Sequence, residues 1–328
     1  MNLIPDDILY KVEKPARYIG EEFNSYKKDK EKVDIRYAFC FPDVYEVGMS
    51  HLGSRILYYT LNQREDTYCE RAFAPWPDME KLMRENNIPC FTLETKDSLK
   101  EFDMLGFTLQ YEMSYTNILN MLNMAGINVR ASERGEEDPI VVCGGPCACN
   151  PEPLYDIPDM FVMGEGEEVS NEILDLYKEY KGKTKKEFLR AVCKIEGVYV
   201  PSLYEVSYKE DGTIKEFKPL YDDVPKKVKK RIITNFNEVP YPDKLIVPYT
   251  EIVHDRIMLE TFRGCTRGCR FCQAGMIYRP IREKKTDKLM ELAESLLKTT
   301  GYNEISLTSL SICDYSDIRN LIYSLIEK

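Results

Sequence analysis

Three cysteines in one short loop are the residues whose types and spacing best predict chemistry. Cys265, Cys269 and Cys272 have the spacing C-x3-C-x2-C. Glycines beside and between them let the chain curl so that the three thiolates face one centre: Gly264, Gly268 and Gly275. Soft thiolates select iron–sulfur clusters or zinc, but a structural zinc site takes four ligands, and no fourth cysteine or histidine lies nearby in sequence. Three cysteines on a four-iron cluster would leave one iron open to a substrate or cofactor.

A second group of cysteines is denser but predicts less. Cys143, Cys147 and Cys149 have the spacing C-x3-C-x-C. A metal site is one interpretation, but the C-x-C pair is cramped for one metal, and Pro146 after two glycines indicates a turn. We therefore expect buried small residues here. The remaining cysteines are spread singly, as packed cysteines are: Cys40, Cys69, Cys90, Cys193 and Cys313.

Composition limits the class of protein. The chain has 328 residues, is 43% hydrophobic and 30% charged, and carries a net charge of −10. These values exclude a disordered chain and make nucleic acid an unexpected partner. The N-terminus lacks the basic and apolar segments of a signal peptide, and no apolar run is long enough to span a membrane. We expect a cytoplasmic protein, in which clustered cysteines indicate metal or redox chemistry rather than disulfides.

Strands and helices alternate over residues 33–180, after a polar leader and linker over residues 1–32. The alternation predicts an α/β fold with a doubly wound, Rossmann-like sheet that is mainly parallel. Its elements include a helix over about 47–63 and a strand over 90–95. Such a sheet binds its ligand at the carboxyl ends of its strands. The loops there supply candidates for a cofactor crevice, although tight turns explain their glycines equally well: Gly144, Gly145, Gly164 and Glu165.

Two further segments complete the chain. Residues 181–248 form a connector, in which an Asp-Gly turn predicts a β-hairpin between Tyr204 and Lys218. We interpret the basic stretch Lys226–Arg231 as a solvated strand edge. Residues 249–328 contain two strand–helix rounds, and the loop with the C-x3-C-x2-C spacing follows the first of these strands.

The cysteine loop resembles the signature of radical S-adenosylmethionine proteins. The likeness rests on the cysteine spacing, on aromatic Phe271 before the last cysteine, and on the preceding strand. It implies a [4Fe-4S] cluster on Cys265, Cys269 and Cys272 whose fourth iron chelates S-adenosylmethionine, which one-electron reduction would cleave to a 5′-deoxyadenosyl radical. By the same likeness, Phe271 lies against the adenine. The family's Gly-Gly-Glu-like stretch after the second strand is replaced by LTSLSICDY, where Ser309 and Ser311 are the candidate substitutes.

The resemblance also covers the two larger segments of the chain. Residues 33–180 resemble the cobalamin-binding domain of an uncharacterised bacterial family of B12-dependent radical S-adenosylmethionine proteins, and residues 249–328 resemble the first part of a TIM-type radical barrel. By this likeness, the four candidate crevice residues would bind cobalamin. The Asp-x-His-x-x-Gly motif of cobalamin domains is absent around His51. We therefore expect His51 to be a capping or surface residue, and His254 to be structural.

We therefore expect a radical S-adenosylmethionine enzyme with a cobalamin-type domain, whose reaction is either methyl transfer or a radical rearrangement or hydrogen abstraction. A non-catalytic iron–sulfur or zinc module, for binding or redox sensing, is the alternative. The enzyme would need an electron donor such as flavodoxin or ferredoxin. Radical barrels take their substrate residues from later strands, so we expect a truncated barrel that lacks its C-terminal portion and is inactive alone.

Overall fold

A six-stranded sheet forms the centre of the computed structural model, which describes residues 4–327. Its strand order is β2-β1-β3-β4-β5-β6, and every neighbouring pair is parallel except β5 and β6. The predicted α/β fold with a mainly parallel sheet is confirmed. The strands are β1 (Ile35–Phe41), β2 (Thr67–Phe73), β3 (Met104–Thr108), β4 (Ile140–Gly144), β5 (Met160–Val162) and β6 (Val198–Tyr199).

Helices precede, connect and follow the strands of this sheet. Because parallel neighbours need crossover connections, helices come between them along the chain. Isolated turns of 3₁₀ helix fill several of the loops. The helices are α1 (Asp6–Leu9), α2 (Ala16–Ile19), α3 (Tyr45–Ser50), α4 (Leu52–Asn62), α5 (Pro77–Glu85), α6 (Tyr115–Met124), α7 (Gly166–Tyr180) and α8 (Lys185–Val192).

Two predicted elements of this unit differ in the structure. The helix expected over 47–63 is divided into α3 and α4, because His51 has extended backbone angles and caps the second helix. The strand expected over 90–95 makes only an isolated bridge. The buried carboxylate of Glu70 accepts hydrogen bonds from the hydroxyls of Thr92 and Thr95, both at 2.6 Å, and from the Thr95 N–H. These local bonds compete with a regular strand ladder.

The described part of the N-terminal segment packs against the sheet. Ile4, Ile8, Val12 and Tyr18 are buried in the same hydrophobic core as the central strands. Between residues 4 and 327, no helix is both long enough and apolar enough to cross a membrane.

The connector forms the predicted hairpin and also extends the edge of the main sheet. The hairpin pairs β7 (Tyr204–Tyr208) with β8 (Ile214–Pro219) in antiparallel fashion. After it, Arg231 makes a parallel bridge to Gly164, at the end of β5. The side chain of Arg231 binds Glu168 and Glu172 of α7 at 2.8 and 2.6 Å. The connector thereby reaches the carboxyl edge of the sheet.

The last segment contains the two expected strand–helix rounds. Its elements are β9 (Ile257–Glu260), β10 (Phe262–Arg263), α9 (Ala274–Ile277), β11 (Arg282–Glu283), α10 (Thr286–Thr300), β12 (Ile305–Thr308) and α11 (Ile318–Ile326). Strands β9 and β12 are parallel neighbours, while β10 and β11 form a short antiparallel pair around the cysteine loop. A second hydrophobic core joins α10 to β9 and includes Ile56 of α4, so α4 is shared by both units.

Candidate functional site

A cavity of about 500 Å³ lies between the carboxyl edge of the main sheet and the second unit. Its walls come from β1, β3, β4 and β5 on one side, and from β9, β10 and the end of β12 on the other. Sheets with this strand order bind their ligands where the order reverses, between β1 and β3. The four residues predicted to form a cofactor crevice all line it: Gly144, Gly145, Gly164 and Glu165.

Two of these glycines are also required by the backbone. Gly145 and Gly164 have φ angles of +98° and +113°. A Cβ would lie 2.8 Å from the Leu109 carbonyl oxygen at position 145, and 2.1 Å from that of Arg231 at position 164. At Gly144 the nearest atom would be 3.7 Å away, so this wall has room for a side chain. The turn-forming interpretation thus accounts for Gly145 and Gly164, whereas a Cβ at Gly144 would make only ordinary contacts with Val162.

A glycine in β3 makes room for a tyrosine ring at the reversal point of the sheet. Gly106 in β3 lies against the ring of Tyr37 in β1, where a Cβ would be 1.9 Å from the hydroxyl oxygen. Both residues line the cavity, and burial raises the pKa of Tyr37 well above its usual value. The phenol therefore stays protonated and neutral at physiological pH.

His51 caps a helix and also lines the cavity. Its Nδ1 accepts a hydrogen bond from the Ser54 N–H at 3.1 Å, at the start of α4. Burial, aided by the charge of Arg55, lowers the pKa of His51 to about 4, so the imidazole is neutral at pH 7. Its capping role agrees with the sequence-based expectation. Its place on the cavity wall, and that of His254 at the same cavity, were not predicted.

Glu165 links the crevice to the second unit. Its carboxylate accepts hydrogen bonds from the Ile233 N–H at 2.6 Å, from Arg263 at 3.3 Å and from Arg282. Burial alone would raise the pKa of Glu165, but the bonds from Arg282 and Ile233 and the charge of Arg263 lower it overall. The residue is therefore ionised on the cavity wall and is held by groups of the connector and the cysteine-bearing segment.

Arg263 is the centre of this charged network. Its guanidinium lies 2.6 Å from Glu167, 2.7 Å from Glu260 and 3.3 Å from Glu165. It also lies over the ring of Phe236, with its carbon 4.8 Å from the ring centroid. Sequence reasoning missed this network. The available signal was an arginine within a strand of largely apolar residues, two positions before Cys265.

The cysteine loop follows Arg263 directly along the chain. Gly264 and Gly268, on either side of Cys265, have φ angles of +91° and +64°, a left-handed conformation that favours glycine. Cys265 and Cys272 are half-buried, Cys269 is exposed, and all three are free thiols. Arg267, between the first two cysteines, binds Asp314 through its Nε at 2.7 Å. This ion pair joins the loop to the turn after β12.

The three thiols of the loop are not gathered around one point. Over residues 4–327, no three cysteine, histidine or acidic side chains converge closely enough to hold a metal. The thiolate is the form of cysteine that binds a metal, so metal binding at such a loop releases protons and draws the ligands together. The donor set itself, three soft sulfurs on a glycine-bent loop, fits an iron–sulfur cluster.

The residues predicted to contact S-adenosylmethionine have different surroundings. Ser309 lines the cavity, and its hydroxyl is buried without a hydrogen-bond partner among the described residues. The Ser311 hydroxyl donates to Asp314 at 2.7 Å, outside the cavity lining. Phe271 is 92% exposed and is not part of the lining. Of the three, only Ser309 lines the cavity.

The second group of cysteines differs in burial along its length. Cys143 is buried in β4, Cys147 is half-buried and Cys149 is exposed and lines the cavity. The expectation of buried residues therefore holds for Cys143 and not for Cys149. Cys313, expected to be packed, is exposed as well. Helix α9, which follows the C-x3-C-x2-C loop, packs against the short turn that carries Cys147 and Cys149.

Lys284 is a buried cation next to the Arg263 network. Its Nζ lies 3.4 Å from the centroid of the Phe236 ring and has no hydrogen-bond partner among the described residues. Burial lowers the pKa of Lys284 from 10.5 to about 8. The rings that face it are those of Phe236 and Tyr241, and the charged groups around it are Glu260, Arg263, Glu167 and Glu165.

We expect Lys284→Met to stabilise the protein at pH 7, by up to about 3 kcal/mol. The folded-state pKa lies below the unfolded value, so the unfolded chain binds more protons between pH 8 and 10.5. The wild-type free energy of unfolding should therefore rise across that range, and the variant should lack this rise. Urea unfolding at several pH values measures both effects. Lys285→Met, at the exposed neighbour, is the control, and equal pH profiles for wild type and Lys284→Met would contradict the prediction.

Comparison with known proteins adds an independent observation. The family described as "Radical SAM proteins, N-terminal" matches residues 53–201. The predicted resemblance to radical S-adenosylmethionine proteins is confirmed. The chain is also 29% identical over 287 residues to the uncharacterized protein MJ0966 of Methanocaldococcus jannaschii, covering 87% of this chain and 51% of that protein.

Two solved structures share the fold. Both are of the radical S-adenosylmethionine methyltransferase TsrM from Kitasatospora setae. The first, with cobalamin and a [4Fe-4S] cluster bound, has a TM-score of 0.53 and 13% identity, over 90% of this chain and 53% of TsrM. The second, with tryptophan and a S-adenosylmethionine analogue, has a TM-score of 0.50 and 14% identity, over 89% and 51%. These matches confirm that the chain has the α/β fold of that cobalamin-containing structure, and the chain spans about half the length of these relatives.

Proposed function

We propose that this protein is a radical S-adenosylmethionine enzyme with two cofactor sites. Cys265, Cys269 and Cys272 would hold a [4Fe-4S] cluster, and a cobalamin would bind at the carboxyl edge of the main sheet. The observation that carries the proposal is the shared cavity: its walls include the crevice glycines and also Gly264, the residue before Cys265. A ligand at the sheet edge would thus face the cluster loop.

The residues of the cavity have distinct tasks in this proposal. When bound, the cluster would supply the electron that cleaves S-adenosylmethionine. The free hydroxyl of Ser309 would donate to a polar group of S-adenosylmethionine, with Phe271 and Ser311 as further candidates by resemblance. Glu165 and Arg263 would keep the cysteine-bearing segment against the crevice. Gly144 would give the cobalamin close access to the backbone, while Gly145 and Gly164 would hold the turns that shape the crevice.

Methyl transfer through the cobalamin is the reaction class we favour. If both bound at this cavity, S-adenosylmethionine would be the methyl donor, the reduced cobalamin the acceptor and S-adenosylhomocysteine the product, whereas hydrogen abstraction alone does not require a cobalamin. The structural relative TsrM is a methyltransferase with cobalamin and a [4Fe-4S] cluster. Cobalamin supplies a methyl carrier, and the protein would orient it and exclude water.

A one-electron donor such as flavodoxin or ferredoxin is the proposed protein partner. The cluster loop is accessible from outside the molecule: Cys269 is exposed and the neighbouring Phe271 is almost fully so. Arg270 between them is exposed too. A donor could therefore approach the loop without a rearrangement of the main sheet.

The proposal is tested by following S-adenosylmethionine in the whole protein. After anaerobic reconstitution with iron, sulfide and hydroxocobalamin, and reduction, we expect conversion to 5′-deoxyadenosine by reductive cleavage or to S-adenosylhomocysteine by methyl transfer to the cobalamin. Cys265→Ser should reduce it to background, whereas Cys313→Ser, an exposed cysteine outside the loop, should leave it unchanged. A complete, reducible cluster that never consumes S-adenosylmethionine would contradict the enzyme and support a redox-sensing module. One zinc per chain without iron would support a zinc module.

A further inference from the structure

Both histidines of the chain line the large cavity between the two units. His51 lies between α3 and α4, and His254 lies in the loop before β9. The backbone N–H of His254 donates to the hydroxyl of Ser50 at 3.0 Å, so the second histidine is held next to the residue that precedes the first. Imidazole is the commonest metal ligand among side chains, and the proposed cobalamin would bring a cobalt ion to this cavity.

Neither ring nitrogen of His51 is available to a metal. Its Nδ1 accepts the Ser54 N–H at 3.1 Å and thereby caps α4. The pKa of about 4 keeps the imidazole neutral, and a neutral imidazole whose Nδ1 is an acceptor carries its proton on Nε2. The ring also forms a hydrogen bond with the side chain of Gln110. Cobalt binding by His51 would therefore require a change of tautomer or the loss of the helix cap.

The imidazole of His254 has no such commitment. The residue is exposed on the cavity wall, and its ring makes no hydrogen bond or ion pair with any other described residue. Its backbone is nevertheless held in place. Ile252 is buried in the core of the main sheet, and Ile257 is buried in the core of the second unit. The loop is thus anchored on both sides of His254 while the ring remains free.

The other potential donors in the cavity lining are less suited to bind cobalt. Burial raises the pKa of the Cys149 thiol, so it is protonated at pH 7 and is a weak ligand. The Nζ of Lys230 donates to the carbonyl oxygens of Ile277 and Arg279, both at 2.6 Å, and an ammonium has no lone pair to give. The phenol of Tyr37 is neutral as well.

We propose that His254 is an axial ligand of the cobalt when a cobalamin occupies this cavity. The inference rests on the proposed function, because it requires that cofactor. A ring nitrogen of His254 would give its lone pair to the cobalt, and the second axial position would remain for the methyl group. Strands β9 and β10 lie between His254 and Gly264 along the chain, so the imidazole is at the other end of this cavity wall from the cysteine loop.

Electron paramagnetic resonance of the whole protein tests the ligand directly. Hydroxocobalamin is bound anaerobically and reduced to the cobalt(II) state, in a protein whose histidines carry nitrogen-15. One axial nitrogen-15 splits each cobalt line in two, whereas the ordinary nitrogen of the cofactor's own base splits it in three. We expect the twofold splitting in the wild type and its loss in His254→Ala. His51→Asn, which keeps a helix-capping side chain, should retain the twofold splitting.

The possible results separate this inference from the proposed function. A bound cobalamin with threefold splitting, or with none, would overturn the role of His254 and leave the proposed function intact. Twofold splitting that persists in His254→Ala and disappears in His51→Asn would assign the ligand to the wrong histidine and also overturn it. A wild-type protein that binds no cobalamin would contradict both. Because the labelled wild type needs no substitution, the first of these results does not depend on how His254→Ala folds.

Discussion

Arg263→Met is expected to destabilise the protein by about 3–5 kcal/mol. The guanidinium of Arg263 is 12% exposed and lies within 3.3 Å of Glu165, Glu167 and Glu260. Methionine would fill a similar volume but would leave three carboxylates together without their central cation. Like charges in a partly buried position repel strongly, and removing one member of a buried ion pair is far costlier than losing a surface pair.

Urea unfolding of the metal-free protein measures this effect and separates it from general disturbance. Arg190→Met is the matched control, because Arg190 is 46% exposed, binds Asp223 at 2.8 Å and lies over the ring of Tyr221. We expect it to cost less than about 1 kcal/mol. The double variant Arg263→Met/Glu167→Met should recover part of the lost free energy of unfolding, since it also removes one of the carboxylates left without a cation. Equal stabilities of Arg263→Met and Arg190→Met would show that the network does not hold the two units together.

Serine at Cys265, Cys269 or Cys272 is expected to lower the iron content of the reconstituted protein by at least about tenfold. A hydroxyl is a hard and poorly acidic ligand, and the loss of even an outer partner of a metal site costs about 10–100-fold in affinity. Each of the three replacements should have this effect, because three cysteines are the smallest set that holds a four-iron cluster with one open iron.

The second group of cysteines provides the control for this experiment. Cys147→Ser and Cys149→Ser change partly exposed thiols that lie near α9 and outside the C-x3-C-x2-C loop. Iron and sulfide content should remain at the wild-type level in both. If either of them lost iron as Cys265→Ser does, the assignment of ligands to the one loop would be wrong.

The sequence predicted the main sheet and the location of the site because both depend on local patterns. Apolar strands that alternate with helices force a parallel sheet, and the loops after β4 and β5 must then meet at one edge. Gly144 and Gly164 accordingly line the same cavity, although one follows β4 and the other β5. The glycine-rich cysteine loop could also be identified from the sequence, because its three candidate ligands lie within eight residues.

The remainder of the site depends on contacts between distant segments. The side chains of Arg263 and Glu167 form an ion pair although nearly a hundred residues separate them in the sequence, and no local pattern around either residue indicates that pairing. Glu165 was predicted only as a crevice residue, yet Arg282 and the connector also hold its carboxylate. The absent strand over 90–95 has a similar cause, because the buried Glu70 takes the hydrogen-bonding groups of Thr92 and Thr95. Such tertiary pairings override local propensity.

The most direct test of the shared cavity is the absorbance of the anaerobically reconstituted whole protein during titration with hydroxocobalamin. We predict iron–sulfur absorbance together with a saturable change in the corrinoid bands. Gly144→Phe, which would fill the cavity from a position with room for a side chain, should keep the first and lose the second. Gly135→Phe, at an exposed glycine with similar room, should keep both. A wild-type protein that carries the cluster but leaves the corrinoid bands unchanged would contradict the account.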